Sequence, residues 1–391
     1  MRALRFDLGI LRTSTKLPRL RLIALLIGTV TLFLLAACGG QPAAAPAATK
    51  APEAPKSAEA TKPAAPAAAA TTAPGTQPAA SAAPAAKGAK TVMKIGHVLT
   101  EQDNVHAALL RFKDSVEKKS NGQVEVQIYP NSSLGSLRVT FESMQLGNLE
   151  ASVQDGATPG TAAPLYALPE LPYLFKDLNH VHKVLDGPIG AEMYKQLQDK
   201  AGIRTLANYD TTFRKIFTKT KPINSLADMK GLKIRIPEAP YYVRAMQLLG
   251  ANPTPVAWGE LYTALQTGVV EGFENKAEAA FNAKLHEQTK FAAYTGHIFV
   301  MNPLLVNEKW LSGLPADIQK IIVDAAAESQ AWQRDYAPTS EKTFEQKMKD
   351  AGVTWSSPDV APFRQAVQPF YKEVGDKING NDFIKKIQDA S

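Results

Sequence analysis

One cysteine in 391 residues excludes an intramolecular disulfide framework, and with it the multi-cysteine zinc and iron–sulfur sites. The chain also lacks a Gly-x-Ser-x-Gly nucleophile elbow, a phosphate-binding P-loop and a His-Glu-x-x-His zinc motif. A Ser-x-x-Lys does occur, as Ser115-Val-Glu-Lys118, but on the polar side of an amphipathic helical pattern and without companion motifs. His180-Val-His182 has a spacing that turns two rings of a helix apart, so these are read as surface histidines. No carboxylate pair stands at a recognisable catalytic spacing. Catalysis, a cofactor and a metal are therefore not expected. A basic surface is missing too. The formal net charge is +7, but residues 1–37 carry +5 and residues 39–90 carry +3, which leaves −1 for residues 91–391. A nucleic-acid-binding face needs a basic excess that this part does not have.

The one long apolar run is Leu22–Ala37, sixteen residues without a charge, preceded by basic residues up to Arg21. It is slightly long for the core of a signal peptide and short for a membrane span, and an uncleaved membrane anchor is the alternative to a cleaved signal. It ends in Leu35-Ala36-Ala37-Cys38-Gly39, which resembles the lipobox of bacterial lipoproteins. That resemblance implies a signal peptide over residues 1–37. It also implies a lipidated Cys38 as the mature amino-terminus, and a body held outside the cytoplasm, in the periplasm or on the outer face of the cytoplasmic membrane. Of the 52 residues 39–90, 23 are Ala and 9 are Pro, with no aromatic or large aliphatic side chain. Such a segment cannot bury enough apolar surface to offset its ordering entropy, so residues 38–90 read as a lipidated cysteine and a disordered tether.

The remaining 300 or so residues suit two lobes better than one core. Strand and helix patterns alternate. Thr91–Val98 reads as a strand, Asn104–Ser120 as a helix with Asp103 or Asn104 as its cap, and Gln123–Tyr129 as a strand with Val124, Val126 and Ile128 on one face. A helix near Leu137–Leu146 and a short strand Leu149–Gln154 follow. Later, Ile203–Tyr209, Phe213–Thr218 and Leu232–Ile236 read as strands, with helices near Gly190–Lys200, Ala239–Leu249 and Trp258–Gln266. The alternation argues an α/β fold. Pro315–Gly352 is one long helical pattern, long enough to run between lobes, and Pro338 inside it is expected to kink or break it.

Six stretches resemble the solute-binding proteins of tripartite ATP-independent periplasmic (TRAP) transporters, of the dicarboxylate-binding (DctP-like) type. They are Tyr129-Pro-Asn-Ser-Ser-Leu-Gly135, Leu168-Pro-Glu-Leu-Pro-Tyr-Leu-Phe175, Asp228-Met-Lys-Gly-Leu-Lys-Ile-Arg-Ile-Pro237, Leu249-Gly-Ala-Asn-Pro-Thr-Pro255, Glu260-Leu-Tyr-Thr-Ala-Leu-Gln-Thr-Gly268 and Val270-Glu-Gly-Phe-Glu-Asn275. Each alone is unspecific; six in order are specific. Two positions depart from the family pattern: Glu271 stands where an Asp is usual, and Lys276 where a Pro often follows the Asn, which should loosen the loop after Asn275. The resemblance implies a two-lobed periplasmic-binding-protein fold with hinge strands and a long lobe-spanning helix. Lobe I is expected over 91–211 plus 301–340 and lobe II over 212–300 plus 341–391, with crossings near Asp210–Thr212 and Val300–Met301. It implies capture of a small organic acid between the lobes and delivery to TRAP membrane subunits, with the protein a monomer. A binding protein of an ABC importer or a sensor would share the fold, and an extracytoplasmic hydrolase is the more distant alternative.

For the site, Leu232, Ile234 and Ile236 share one strand face while Lys233 and Arg235 share the other, and Pro237 ends the strand. Arg235 thus stands near a carboxyl end, where ligand crevices lie in open α/β sheets. Its planar fork can meet a carboxylate with two parallel hydrogen bonds, and the resemblance makes it the main carboxylate contact. The resemblance adds Asn275 as a polar contact, Arg214 as a second arginine, expected to be the more exposed of the two, and Trp258 as an aromatic against the ligand. Asp155, past the end of its strand, can accept hydrogen bonds from ligand hydroxyls or amines. Tyr173 and His97 are further candidates of the same kind.

Overall fold

The computed structural model describes residues 90–390; the expected signal peptide over 1–37, Cys38 and the expected tether up to residue 89 lie outside the described residues. In chain order the strands are β1 (Thr91–Gly96), β2 (Val124–Tyr129), β3 (Ala151–Val153), β4 (Ile203–Phe213), β5 (Lys215–Thr218), β6 (Lys233–Ile236), β7 (Asn252–Pro255), β8 (Gly272–Asn275), β9 (Phe291–Ala293), β10 (Phe299–Asn307) and β11 (Thr354–Ser356). The helices are α1 (Asn104–Lys119), α2 (Leu137–Gln145), α3 (Leu178–Leu185), α4 (Pro188–Ala201), α5 (Pro240–Leu248), α6 (Leu261–Gln266), α7 (Ala277–Asn282), α8 (Glu308–Ser312), α9 (Ala316–Asp350), α10 (Ala361–Ile378) and α11 (Asn381–Asp389).

The strands form two sheets, of order β2-β1-β3-β10-β4 and β11-β9-β5-β8-β6-β7. In the first, β1 runs parallel to β2 and β3, while β10 is antiparallel to β3 and β4. In the second, β6 runs parallel to β7 and β8, and β5 is antiparallel to β8 and β9. This is the mixed α/β, two-lobed architecture expected from the alternation of patterns. Local chemistry sets the elements. The Asp103 side chain accepts from the Val105 N–H and so starts α1. Val105, Ala108, Leu109, Phe112 and Val116 then recur on one buried face against β1 and β2. Burying a side chain such as Leu109 or Phe112 contributes about 1.5–3 kcal/mol. Helix α4 ends at Gly202, whose φ of +67° places it in the left-handed region that glycine occupies without a Cβ penalty.

The chain passes from the first sheet to the second at Arg214, between β4 and β5, and returns through residues 294–298, between β9 and β10. The two passages are tied together, since the Arg214 N–H donates to the Ile298 carbonyl at 2.9 Å. Backbone irregularity flanks them on the first-sheet side: Thr212, before the first passage, has φ +66°, and the β4–β10 register shifts between Phe299 and Met301, after the second. The third connection is α9, 35 residues long. It is not broken at Pro338. The ring removes one N–H from the ladder, but buried Ala337, Ser340, Glu341 and Phe344 hold the helix on both sides of it. Its first half buries Ile318, Ile322, Ala325 and Ala326 in the first sheet's core, and its second half buries Phe344 and Met348 in a core of the second. Helix α10 packs on α5 and α11 on α4, so the last segment touches both halves.

Candidate functional site

Two parallel pairs of strands, β1 with β3 in the first sheet and β6 with β8 in the second, deliver their carboxyl ends to one cavity between the sheets. β1 ends beside His97, β3 runs into Gln154 and Asp155, β6 presents Arg235 one residue before its end, and β8 ends on Asn275 beside Lys276; all six line the cavity, with Arg214 and Trp258. This is the crevice position expected in open α/β sheets.

The second sheet supplies the cations. Arg235 is 3 % exposed. Its Nε donates to the Val256 carbonyl at 2.8 Å, and its guanidinium lies 5.5 Å from the Trp258 ring centroid. Its two terminal nitrogens have no hydrogen-bond partner, and no carboxylate is within ion-pair distance, among the described residues. Burial lowers its pKa to about 10; Glu274 opposes that fall and Arg214 adds to it. Arg214 is buried as well, at 6 % exposure against 3 % for Arg235. It is paired through Nε and one terminal nitrogen with the carboxylate of Glu274, and that same nitrogen reaches the Glu274 carbonyl at 2.6 Å. Burial opposes its charge most, but Glu274, Tyr242 and Glu170 together more than offset it and hold the guanidinium above its ordinary pKa. Burial likewise pushes Glu274 up, and Arg214, then His297 at 3.5 Å, more than offset it, so Glu274 stays ionised.

The first sheet supplies acceptors. The Asp155 Oδ1 accepts from the Thr158 N–H at 2.7 Å, and its Oδ2 is buried without a partner. Burial raises the Asp155 pKa, moderated by its own hydrogen bonds and by Arg214 and Arg235. Behind it, Glu170 accepts from the Gly156 N–H at 2.7 Å and from the Tyr242 hydroxyl at 3.1 Å. Burial, then the Asp155 charge, pushes Glu170 well above the usual carboxylate range. His97 shares one ring nitrogen with His106 at 3.0 Å, and its Nδ1 is buried without a partner. Burial and His106 lower its pKa to about 3, so the ring is neutral.

Lys276 does not loosen the loop. Its backbone N–H donates to Asn275 Oδ1 at 2.8 Å, and its buried ammonium pairs with Asp103 at 2.9 Å and Glu278 at 3.3 Å. Asp103 and Asn104 open α1, so this cluster joins the two halves beside the cavity; Asn104 also donates to Glu278, at 2.9 Å through its backbone N–H. A proline at 276 would supply neither the charge nor the N–H.

Of the residues read from the sequence, the cavity gathers His97, Asp155, Arg214, Arg235, Trp258 and Asn275. Tyr173 is not among its lining residues. Its φ is +58°, its hydroxyl donates to the Thr295 carbonyl at 3.1 Å, and Arg364 covers its ring, so it braces the returning passage instead. His180 is not a surface residue: it packs edge-on to Phe175 and bonds the Ile387 carbonyl at 2.7 Å, because α11 covers that side of α3. His182 bonds Asp210 instead, so the two rings do point apart. Gln154, Glu170, Tyr242, Glu274 and Lys276 escaped the sequence reading. Gln154 closes a recognised strand, which was a usable signal; the buried Asp155–Glu170 neighbours, fifteen residues apart, left none. No group of three or more His, Cys, Asp or Glu among the described residues is placed to hold a metal.

The family model for DctP, bacterial extracellular solute-binding protein, family 7, matches residues 95–377. The chain is 33% identical over 305 residues to the C4-dicarboxylate-binding periplasmic protein DctP of Rhodobacter capsulatus, covering 77% of this chain and 91% of that one. Among solved structures, a TRAP periplasmic solute-binding protein from Xanthobacter autotrophicus Py2 with bound β-D-galacturonate matches with a TM-score of 0.74 at 32% identity, over 76% of this chain and 100% of that one. One from Roseobacter denitrificans OCh 114 with bound L-galactonate matches with a TM-score of 0.73 at 30% identity, over 76% and 98%.

Proposed function

Because the chain belongs to the DctP family of bacterial extracellular solute-binding proteins, we propose that its cavity captures a small organic acid and that the protein hands this acid to the membrane subunits of a TRAP transporter. The observation that carries the reading is Arg235: a buried guanidinium whose two terminal nitrogens are uncommitted, at the carboxyl end of β6, inside the cavity. A buried cation without a counterion is costly, and a bidentate carboxylate is the ligand that relieves it. Asn275 gives a second donor, since its Oδ1 is used by Lys276 and its Nδ2 is not. Trp258 flanks the fork, and Arg214 contributes its field. Contacts made to both sheets by one ligand favour the closed arrangement over an open one. Calorimetric titration with galacturonate, galactonate and succinate tests the reading; at least one acid binds, and Arg235→Ala abolishes or severely weakens it. A folded variant that binds as wild type would remove the carboxylate argument.

The extracytoplasmic location follows the family. Within it, we assign the finer address to Cys38 as a lipid anchor, with residues 39–90 as its tether. Cys38→Ser should abolish metabolic labelling with palmitate; labelling that persists would refute the assignment.

A further inference from the structure

Three buried cations line the cavity, and two are already matched. Arg214 is paired with Glu274, and Lys276 with Asp103 and Glu278. Arg235 alone of the three has no carboxylate within ion-pair distance, so it is the cation in the cavity that a ligand carboxylate can answer. Arg138 at the rim is no second anion site of this kind: its side chain is 71% exposed and already paired with Glu142.

The facing wall carries three unpartnered atoms: Gln154 Oε1, Asp155 Oδ2 and His97 Nδ1, on residues 1%, 5% and 2% exposed. The orientation of Gln154 is fixed by its neighbours. The Thr140 hydroxyl donates to the Ser136 and Leu137 carbonyls, so it accepts from the Gln154 amide at 2.8 Å; Ser152 Oγ receives the other amide hydrogen at 2.7 Å. The remaining Gln154 oxygen can only accept. In its ionised form, which Arg214, Arg235 and the Thr158 N–H favour against burial, the Asp155 carboxylate can only accept as well, and the neutral His97 Nδ1 accepts when the proton shared with His106 sits on Nε2. Resting on the reading above, we propose that the ligand is a polyhydroxylated monocarboxylate, and that Gln154, Asp155 and His97 select its hydroxyl donors against a second carboxylate. An acid with a carboxylate at each end would set acceptor against acceptor at this wall and a negative charge against Asp155. A site built to hydrogen-bond hydroxyls rejects analogues that lack them by up to about 10⁴–10⁵-fold.

The test is calorimetric titration of the purified mature chain with D-galacturonate and D-galactonate, with succinate and fumarate, and with neutral D-galactose. A polyhydroxy acid should bind at least about 100-fold more tightly than either dicarboxylate. Asp155→Asn should lower its affinity at least about tenfold and raise that of succinate; Gln154→Leu, checked for folding by circular dichroism, should lower it as well. Succinate or fumarate binding within tenfold of the sugar acids overturns the proposal while leaving the carboxylate reading intact. Both variants binding within threefold of wild type overturn it also. Galactose binding as tightly as galacturonate, or none of the five binding, overturns both.

Discussion

Arg214 and Arg235 stand on the same side of one cavity, at almost the same burial, and differ in who neutralises them. Arg214 sits where the chain passes between sheets, and the protein supplies its counterion, Glu274, from the neighbouring β8. Arg235 sits at a strand end, and the protein supplies only a backbone carbonyl and an aromatic face. The first arrangement is complete without a ligand. The second is completed by one. Buried charge is thus used twice in one wall, once to hold the passage between sheets and once to be answered from outside.

The comparison breaks first on Arg214. Arg214→Met strands a buried Glu274 and should cost about 3–5 kcal/mol of stability, read from urea denaturation. Arg214→Met with Glu274→Gln should recover part of it. A single variant as stable as wild type would mean that the pair does not hold the passage. Arg235→Ala should do the reverse. It removes an unanswered charge, so the empty protein should be as stable as wild type or more so. Ligand affinity should fall by about 2–5 kcal/mol, roughly 30-fold to several-thousand-fold by calorimetry.

The opposite wall sharpens the contrast through pH. His97 is neutral in the folded chain with a pKa of about 3, against 6.5 for an unperturbed ring. Its stabilising contribution is therefore complete above about pH 6.5 and is lost as pH falls toward 3, because only the unfolded chain takes up the proton there. The loss should be on the order of a few kcal/mol. Urea midpoints at pH 7 and pH 4 should diverge less for His97→Gln than for wild type; equal divergence would mean that the ring titrates normally. The smallest effect is Arg235→Lys. It keeps the charge but not the fork, so it should bind the acid more tightly than Arg235→Ala yet remain about tenfold weaker than wild type.

Period-two and helical patterns were enough to read β1 to β6 and the helices α1, α2, α4, α5, α6 and α9, since Val124, Val126 and Ile128, or Val105, Leu109 and Phe112, announce their faces directly; β7 to β11, β10 at the middle of the first sheet among them, went unread. Arg235 was legible for the same reason: alternation and Pro237 fix its face and its place. What was hidden depends on contacts between distant segments. Glu274 reads as one residue of a family-like stretch, and only the fold places it against Arg214. Lys276 reads as a loosened loop until Asp103, 173 residues away, is brought to it. Pro338 reads as a helix breaker because propensity is local, whereas packing on two cores keeps α9 continuous. Tyr173 shares its stretch with family-like residues, yet its backbone turns it to the returning passage.

Strand β10 lies between β3 and β4 in the first sheet, although the 85 residues 214–298 separate it from β4 along the chain. A chain emerging amino-terminus first therefore makes β1 to β4 and still cannot close that sheet. Until Phe299–Asn307 arrives, β3 and β4 each keep an unpaired edge, and such edges invite pairing with other chains. The two halves cannot mature one after the other as independent beads. Each is finished by residues that follow most of the other, so the order of synthesis makes completion of the whole nearly a single late event, and the nascent chain must be kept from aggregating until then.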